Sequence, residues 1–258
     1  MHQQYLTKTG AAKLAKYFRI LAVVSAAALL GTGARPQSLG FVPVAAHRGH
    51  TVSVRELQIP SKAIGKVEKG LKRLEKHDPE ASLRHFAEAI EAAPDFYEAY
   101  YLKGVAEALL GRNNEALDSF QTAVDLSDGT FPQAEFGYAL VLTRQGKARE
   151  AERVVRHGLE AGANIADGHV VLALALLEQK RLEDAEKSAH EALLLRQPGS
   201  AKGHLILADV QSARGDFRGQ ARELDAYLES YPDDRNHQQL EAARDAARRL
   251  AAKMEKGQ

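Results

Sequence analysis

From about residue 63 onward, apolar residues recur at three- and four-residue steps in paired bursts. That spacing belongs to amphipathic helices. The bursts are joined by short polar turns, so the chain reads as helix, turn, helix, turn. One stretch complicates the pattern. KGVAEALLGRNNEALDSF, residues 103–120, is rich in Ala, Leu and Glu yet holds Gly104 and Gly111. An interior helical glycine costs roughly 1 kcal/mol relative to alanine, so each needs a reason.

The reason is a repeat. A small residue returns as Gly70, Gly104, Ala139, Ala173 and Ala208, at gaps of 34, 35, 34 and 35. Gly111, Gly146, Lys180 and Gly215 form a second track, and Ser82, Ala116, Ala151 and Ala185 a third. A large apolar track runs Phe86, Phe120, Val155, then Ala189 and Leu224; a fifth runs Ala89, Ala123, Gly158 and Ala192. Internal periodicity of this length predicts a stacked array of helical hairpins. Gly104 then marks a close approach of two backbones within the first helix of a unit. Gly111 marks that helix's end, where a left-handed residue is favoured. Asn113–Asn114 supplies the cap of the next helix.

These tracks resemble the tetratricopeptide repeat, a 34-residue helix-turn-helix with small, aromatic and proline slots at fixed offsets. Tyr97 to Leu126 carries the likeness almost throughout, and the closing proline stands as Pro94 and Pro232, and one place late as Pro198. The resemblance implies an all-α fold: a right-handed helical-hairpin solenoid of about five repeats, 63–96, 97–131, 132–165, 166–200 and 201–234. A last helix, about 235–254 within the 235–258 tail, has an apolar stripe of Leu240, Ala243, Ala247, Leu250 and Met254. It is expected to cap the array's open end.

Upstream the pattern differs. Lys8, Lys13, Lys16 and Arg19 precede the apolar run Ile20–Leu30, and small residues follow in Gly31–Ala34. That order is the signature of a secretory signal peptide over residues 1–34, and eleven apolar residues are short of the roughly 20 that span a bilayer. Export to the periplasm or outside the cell is therefore expected; the alternative is an anchor at residues 20–34, the one case that implies membrane contact. Residues 35–62 read as linker and extended arm, with a short strand expected at His50–Pro60.

Composition removes several kinds of chemistry. The chain has 258 residues, no Cys and no Trp, so disulfides, thiolate nucleophiles and cysteine metal sites are absent. Net charge is +1, and without residues 1–34 it is 31 bases against 34 acids, or −3. That balance argues against nucleic acid as a partner. His190 begins a zinc-protease-like HEALL whose second His position holds Leu194, and His47 and His50 lack a third ligand. His169 and His204 fill one repeat slot, which Tyr100 holds elsewhere, and packing explains them. No catalytic residue, cofactor or metal is expected, and the chain reads as non-enzymatic.

In tetratricopeptide proteins the first helices line a concave groove that takes peptides. The resemblance projects Tyr101, Val105, Phe136, Leu140, Val170, Leu174 and Leu205 onto it, with Glu98, Gln133, Asp167 and Lys202 at one edge. Tyr101 and Phe136 stand where members that grip acidic chaperone tails place cations, so a carboxylate clamp is not expected. Two uses of the stripe stay open: a surface for an apolar or amphipathic protein segment, or packing between the helices of each unit. The first makes the protein an adaptor or assembly scaffold. The alternative is a structural subunit of an envelope complex that uses its convex face or ends, its groove filled in cis by residues 50–60. Partner identity and oligomeric state are not encoded in any motif. If the leader reading is right, residues 1–46 fused to alkaline phosphatase give an active enzyme in a bacterial host. An inactive, cytosolic fusion would sink that reading.

Overall fold

The computed structural model describes residues 59–161, 165–234 and 236–256. The leader and linker, and the arm up to residue 58, lie outside the described residues. Within them there is no strand. The helices are α1 (Ser61–Glu75), α2 (Pro79–Ala92), α3 (Tyr97–Leu109), α4 (Asn113–Ser127), α5 (Pro132–Arg144), α6 (Ala148–Glu160), α7 (Ala166–Glu178), α8 (Leu182–Leu194), α9 (Gly203–Ala213), α10 (Phe217–Ser230) and α11 (His237–Lys256). A 3₁₀ turn, Ser200–Lys202, precedes α9. The architecture is an all-α helical-repeat solenoid. It divides into two compact units, one ending at Gly137 and one beginning at Tyr138, within α5.

In the first unit α1 packs on α2, α2 on α3 and α3 on α4; in the second, α6 to α11 pack in the same sequential way. The turn inside each hairpin is built alike. His77, Gly111, Gly146, Lys180 and Gly215 all have left-handed backbone, with φ of 59°, 74°, 78°, 60° and 77°. The next residue's N–H reaches five residues back: Arg112 to Glu107 O at 2.9 Å, Lys147 to Leu142 O at 2.9 Å and Arg181 to Leu176 O at 3.0 Å. This bond satisfies a carbonyl that the helix end leaves open. Two starts are capped by side chains: Asp78 accepts from Ala81 N–H at 3.0 Å and Asp216 from Gly219 N–H at 2.8 Å. The expected Asn cap is absent. Asn113 is the first residue of α4, Arg112 holds the cap position, and no side chain bonds there.

Gly104 also has a different neighbour from the one expected. A Cβ there would meet the Phe120 ring at 2.9 Å, a side chain and not a second backbone. Phe120 is sandwiched, because a Cβ on Gly137 would meet the same ring at 2.7 Å. Gly70 faces Phe86 in the same way. In these hairpins the small and large tracks are therefore two halves of one contact. Glycine stands opposite phenylalanine in the first two hairpins, and the hairpins with Val155, Ala189 and Leu224 carry alanine in the small slot. In an interior near crystal packing density a Cβ fits in the small slot only where the facing side chain is smaller than phenylalanine.

The terminal helix covers only part of what was expected. Leu240 joins Leu205, Ala208, Leu224, Tyr227 and Leu228 in one buried cluster, with Ala243 packed beside it. Leu250 and Met254, however, remain 45% and 53% exposed. Arg244 and Arg248 clamp α11 to α10 through Asp225, at 3.5 and 2.6 Å.

The turn and the glycine–ring contact each set a stability expectation. Lys180→Gly relieves a left-handed lysine and should stabilise the fold by about 1 kcal/mol, read as a raised urea midpoint. Gly104→Ala should cost on the order of 1 kcal/mol despite its better helix propensity, because the Phe120 ring must move. Adding Phe120→Leu should make the pair less harmful than the sum of the singles by more than about 0.5 kcal/mol. Strict additivity would refute the pairing of the two slots.

Candidate functional site

The first and second helices of a hairpin bury different amounts of themselves. Second helices bury one stripe: Ala148, Ala151, Val155 and Gly158 in α6, or Ala185, Ser188, Ala189 and Ala192 in α8. The first helices α3 and α7 are buried nearly all round, whereas α1 buries only Ala63, Val67, Gly70, Leu71 and Leu74. In α7 the run from Val170 to Leu176 is buried without a break, and α3 buries every residue from Gly104 to Ala108. One helical partner can cover a single stripe, so the remaining faces of α3 and α7 are covered by other parts of the chain.

The seven projected groove residues lie on those first helices, and each unit can be described separately. In the first, Tyr101, Val105 and Phe136 are 5%, 1% and 3% exposed. Tyr101 belongs to an aromatic cluster, its ring 5.7 Å from Phe120 and 5.2 Å from Phe131, edge-on to the latter. Tyr97 reaches Phe131 at 5.3 Å. Such tilted and edge-on pairs add about 0.5–1.5 kcal/mol each beyond burial. In the second unit Leu140, Val170, Leu174 and Leu205 are 3–5% exposed. All seven side chains are thus dry in this chain, held at four-residue steps on their helices.

The polar residues assigned to the edge are also drawn inward. Gln133 and Lys202 are buried, and Asp167 lies 3.9 Å from the Lys202 ammonium. Burial pushes the Lys202 ammonium below the usual lysine range, against the opposing pull of Asp167 and Asp234. Asp234 accepts from the Tyr227 hydroxyl at 2.7 Å and from Asn236 N–H at 2.8 Å. Tyr231 accepts from Gly199 N–H at 3.3 Å. This knot ties the start of α7 to the start of α9 and the end of α10. Asp167 and Lys202 are 35 residues apart, and opposite charges one repeat apart were the signal that could have revealed the pair.

The histidines serve packing. His204 Nδ1 meets Glu223 at 2.7 Å across the α9–α10 hairpin, and burial lowers His169, opposed by Glu191. No group of three or more His, Asp or Glu side chains could hold a metal ion among the described residues. Sequence reasoning missed Asp209. It occupies the repeat position of Val105, Leu140 and Leu174, so the apolar row ends in a carboxylate. Burial, helped by the Glu178 charge, pushes the Asp209 carboxyl up to about 7.

A family model described as Tetratricopeptide repeat matches residues 67–130, 136–192 and 171–235. The chain belongs to the tetratricopeptide repeat family. A thermophilic tetratricopeptide protein of Thermus thermophilus shares the fold at TM-score 0.64 and 20% identity, covering 72% of this chain and 98% of that one. PilW, a type IV pilus biogenesis factor, aligns at TM-score 0.60 and 14% identity over 74% and 91% of the two chains. MamA of Desulfovibrio magneticus aligns at 0.52 and 23% identity over 68% and 99%. A tetratricopeptide repeat and J domain-containing co-chaperone of Cryptococcus neoformans is 36% identical over 72 residues, 28% of this chain and only 14% of that protein. Tetratricopeptide repeats are interaction scaffolds and typically non-enzymatic, and no helix among the described residues is long and apolar enough to cross a membrane.

Two measurements check the electrostatics. Tyr227→Phe removes a hydrogen bond to a charged acceptor and should cost about 1.5–3 kcal/mol; an unchanged urea midpoint would show that Asp234 is held without it. Between the ordinary carboxyl range and about 7, folded Asp209 keeps a proton that the unfolded chain has released. Stability conferred by that proton is full below the unfolded value and is lost as pH rises toward 7. Asp209→Asn should accordingly stabilise the fold at pH 8, by on the order of 2 kcal/mol, and hardly at all at pH 4.

Proposed function

We propose that this protein is an exported, non-enzymatic scaffold whose first helices hold an apolar or amphipathic segment of a protein partner. The observation that carries this reading is the return of large apolar residues at four-residue steps on the first helices, once per repeat. Faces not used by the hairpin partner are apolar, and they recur with the repeat. Tyr101, Val105 and Phe136 serve in the first unit, and Leu140, Val170, Leu174 and Leu205 in the second. An apolar surface of this kind binds by side-chain burial. Export rests on the order of Lys8, Lys13, Lys16 and Arg19 before Ile20–Leu30.

A second reading draws on the seven side chains being at most 5% exposed in the chain by itself. In it the protein is a structural envelope subunit that works through its convex face or ends, and residues 50–60 fill the inner face in cis. A photo-crosslinking benzoylphenylalanine in place of Tyr101, and separately in place of Leu174, distinguishes the two in the native host. The scaffold reading expects an adduct with a second protein from both positions. Internal crosslinks to residues 50–60 and no second protein would replace it with the envelope-subunit reading.

A further inference from the structure

The charges downstream of residue 60 are unevenly placed, and α1 holds the excess of cations. Residues 61–77 carry Lys62, Lys66, Lys69, Lys72, Arg73 and Lys76 against Glu68 and Glu75, a net charge of +4. Residues 78–258 carry 22 bases against 31 acids, a net of −9. Lys62, Lys66, Lys69, Arg73 and Lys76 follow one another at steps of four, three, four and three. That spacing keeps side chains on one helix face, here opposite the buried row of Ala63, Val67, Leu71 and Leu74. Lys72 flanks the row, and all six cations except the half-buried Lys66 are exposed.

Neither helix stability nor ion pairing accounts for this row. Each helix from α2 to α8 has an acid in its first turn, where the helix dipole favours one. In α1 the first turn has no acid and carries Lys62 instead. Lys66 pairs with Glu88 on α2, and Arg73 lies 3.9 Å from Asp78. Among the described residues Lys62, Lys69, Lys72 and Lys76 take no hydrogen bond or ion pair. One repeat further on, the places of Lys62 and Arg73 hold Phe96 and Glu107, which are 3% and 4% exposed. No described helix precedes α1 to cover the corresponding face.

The chemistry of the row selects among anionic partners. It runs about 20 Å along the helix and contains one guanidinium and no aromatic side chain. Lysine is a point charge, without the planar fork that grips phosphate in pairs, and without aromatics the row has no platform for stacked bases. A long polyanion would also meet residues 78–137, with 3 bases against 12 acids, whereas a planar surface need touch only α1. Four to eight basic residues on an amphipathic helix are what anionic lipid headgroups attract. Ser61 follows the apolar run Ile20–Leu30 by 31 residues, so the expected leader would bring α1 to a bilayer.

We propose that the Lys62–Lys76 face of α1 lies on a membrane surface that bears anionic phospholipid headgroups. The contact is electrostatic, because the apolar face of α1 is already packed on α2. It does not need residues 20–34 to stay in the membrane. It is independent of the groove reading and goes beyond it.

The test uses the full chain, which has no cysteine, with one introduced to carry a nitrobenzoxadiazole fluorophore. Gly65→Cys places the label beside the basic row, where an added Cβ meets nothing within 4 Å. Arg153→Cys places it on the exposed side of α6. At low salt, phosphatidylcholine vesicles with about one-third phosphatidylglycerol should raise emission at position 65 about twofold or more and leave position 153 unchanged. Pure phosphatidylcholine should do neither, although an apolar leader can enter both kinds of vesicle. Adding Lys62→Gln, Lys69→Gln, Lys72→Gln and Lys76→Gln, or raising salt to about 0.5 M, should weaken vesicle binding read at position 65 by about tenfold or more, with the circular dichroism spectrum unchanged. A response that survives in the Gln variant, or that pure phosphatidylcholine gives equally, refutes the proposal. An equal rise at positions 65 and 153 also refutes it, since the whole surface then adsorbs. If Lys8, Lys13, Lys16 and Arg19 changed to Gln abolish the response while the α1 variant keeps it, the leader binds the lipid and α1 does not. If anionic vesicles give no rise but polyglutamate or duplex DNA does, the row serves an acidic polymer, and the lipid surface is refuted.

Discussion

The first two hairpins depend on the contact between a glycine in the first helix and a phenylalanine ring in the second. Gly70 against Phe86, and Gly104 with Gly137 around Phe120, show how little space is left: an added methyl would overlap the ring in every case. That contact fixes the distance between the helices, and with it which of their remaining faces turn inward or outward. The left-handed turn residue does the rest by ending the first helix at a fixed place. Where the ring is absent the glycine becomes alanine, which a smaller opposing side chain leaves room for.

That constraint leaves the first helix with more apolar surface than its own hairpin uses. The second helix spends its one stripe on the first and turns a charged face outward. In α3 and α7 the first helix is buried nearly all round, and its inner row packs within the chain. In the second unit the row runs through Leu140 and Leu174 and then changes to Asp209.

Polar groups at the ends of the helices act differently. Lys202, Asp167, Asp234, Tyr227 and Tyr231 form a part-buried knot around the start of α7, the turn before α9 and the end of α10. Desolvation weakens the lysine charge, and hydrogen bonds hold the carboxylates. A buried pair of this sort adds little net stability but penalises wrong docking, because a displaced partner would leave a charge unpaired in low dielectric. Glu152 does a similar service between α6 and α7, accepting from Gln179 and Arg181 at 2.9 Å each.

The period, the helix pairing and the family were legible in the chain because they depend on local rules. Glycine at a left-handed turn, a 3.6-residue apolar step and a 34–35-residue return each leave a mark at fixed spacing. The turn at Lys180 was readable as well, since the track predicts its conformation even without glycine. Other features were not legible, because they depend on which side chains meet after folding. The sequence read Gly104 as a meeting of backbones, and only the packed structure shows Phe120 against it. It read Asn113 as a cap and α11 as a full cover; the helix starts one residue early for the first, and α11's apolar stripe runs past the surface it covers, leaving Leu250 and Met254 open. By itself the sequence determined the repeated hairpin, because hydrogen bonding and steric limits act within a few residues. Only tertiary structure decided how dry the inner row is and that Asp209 stands there without a cation, because burial and charge pairing are properties of neighbours far apart along the chain.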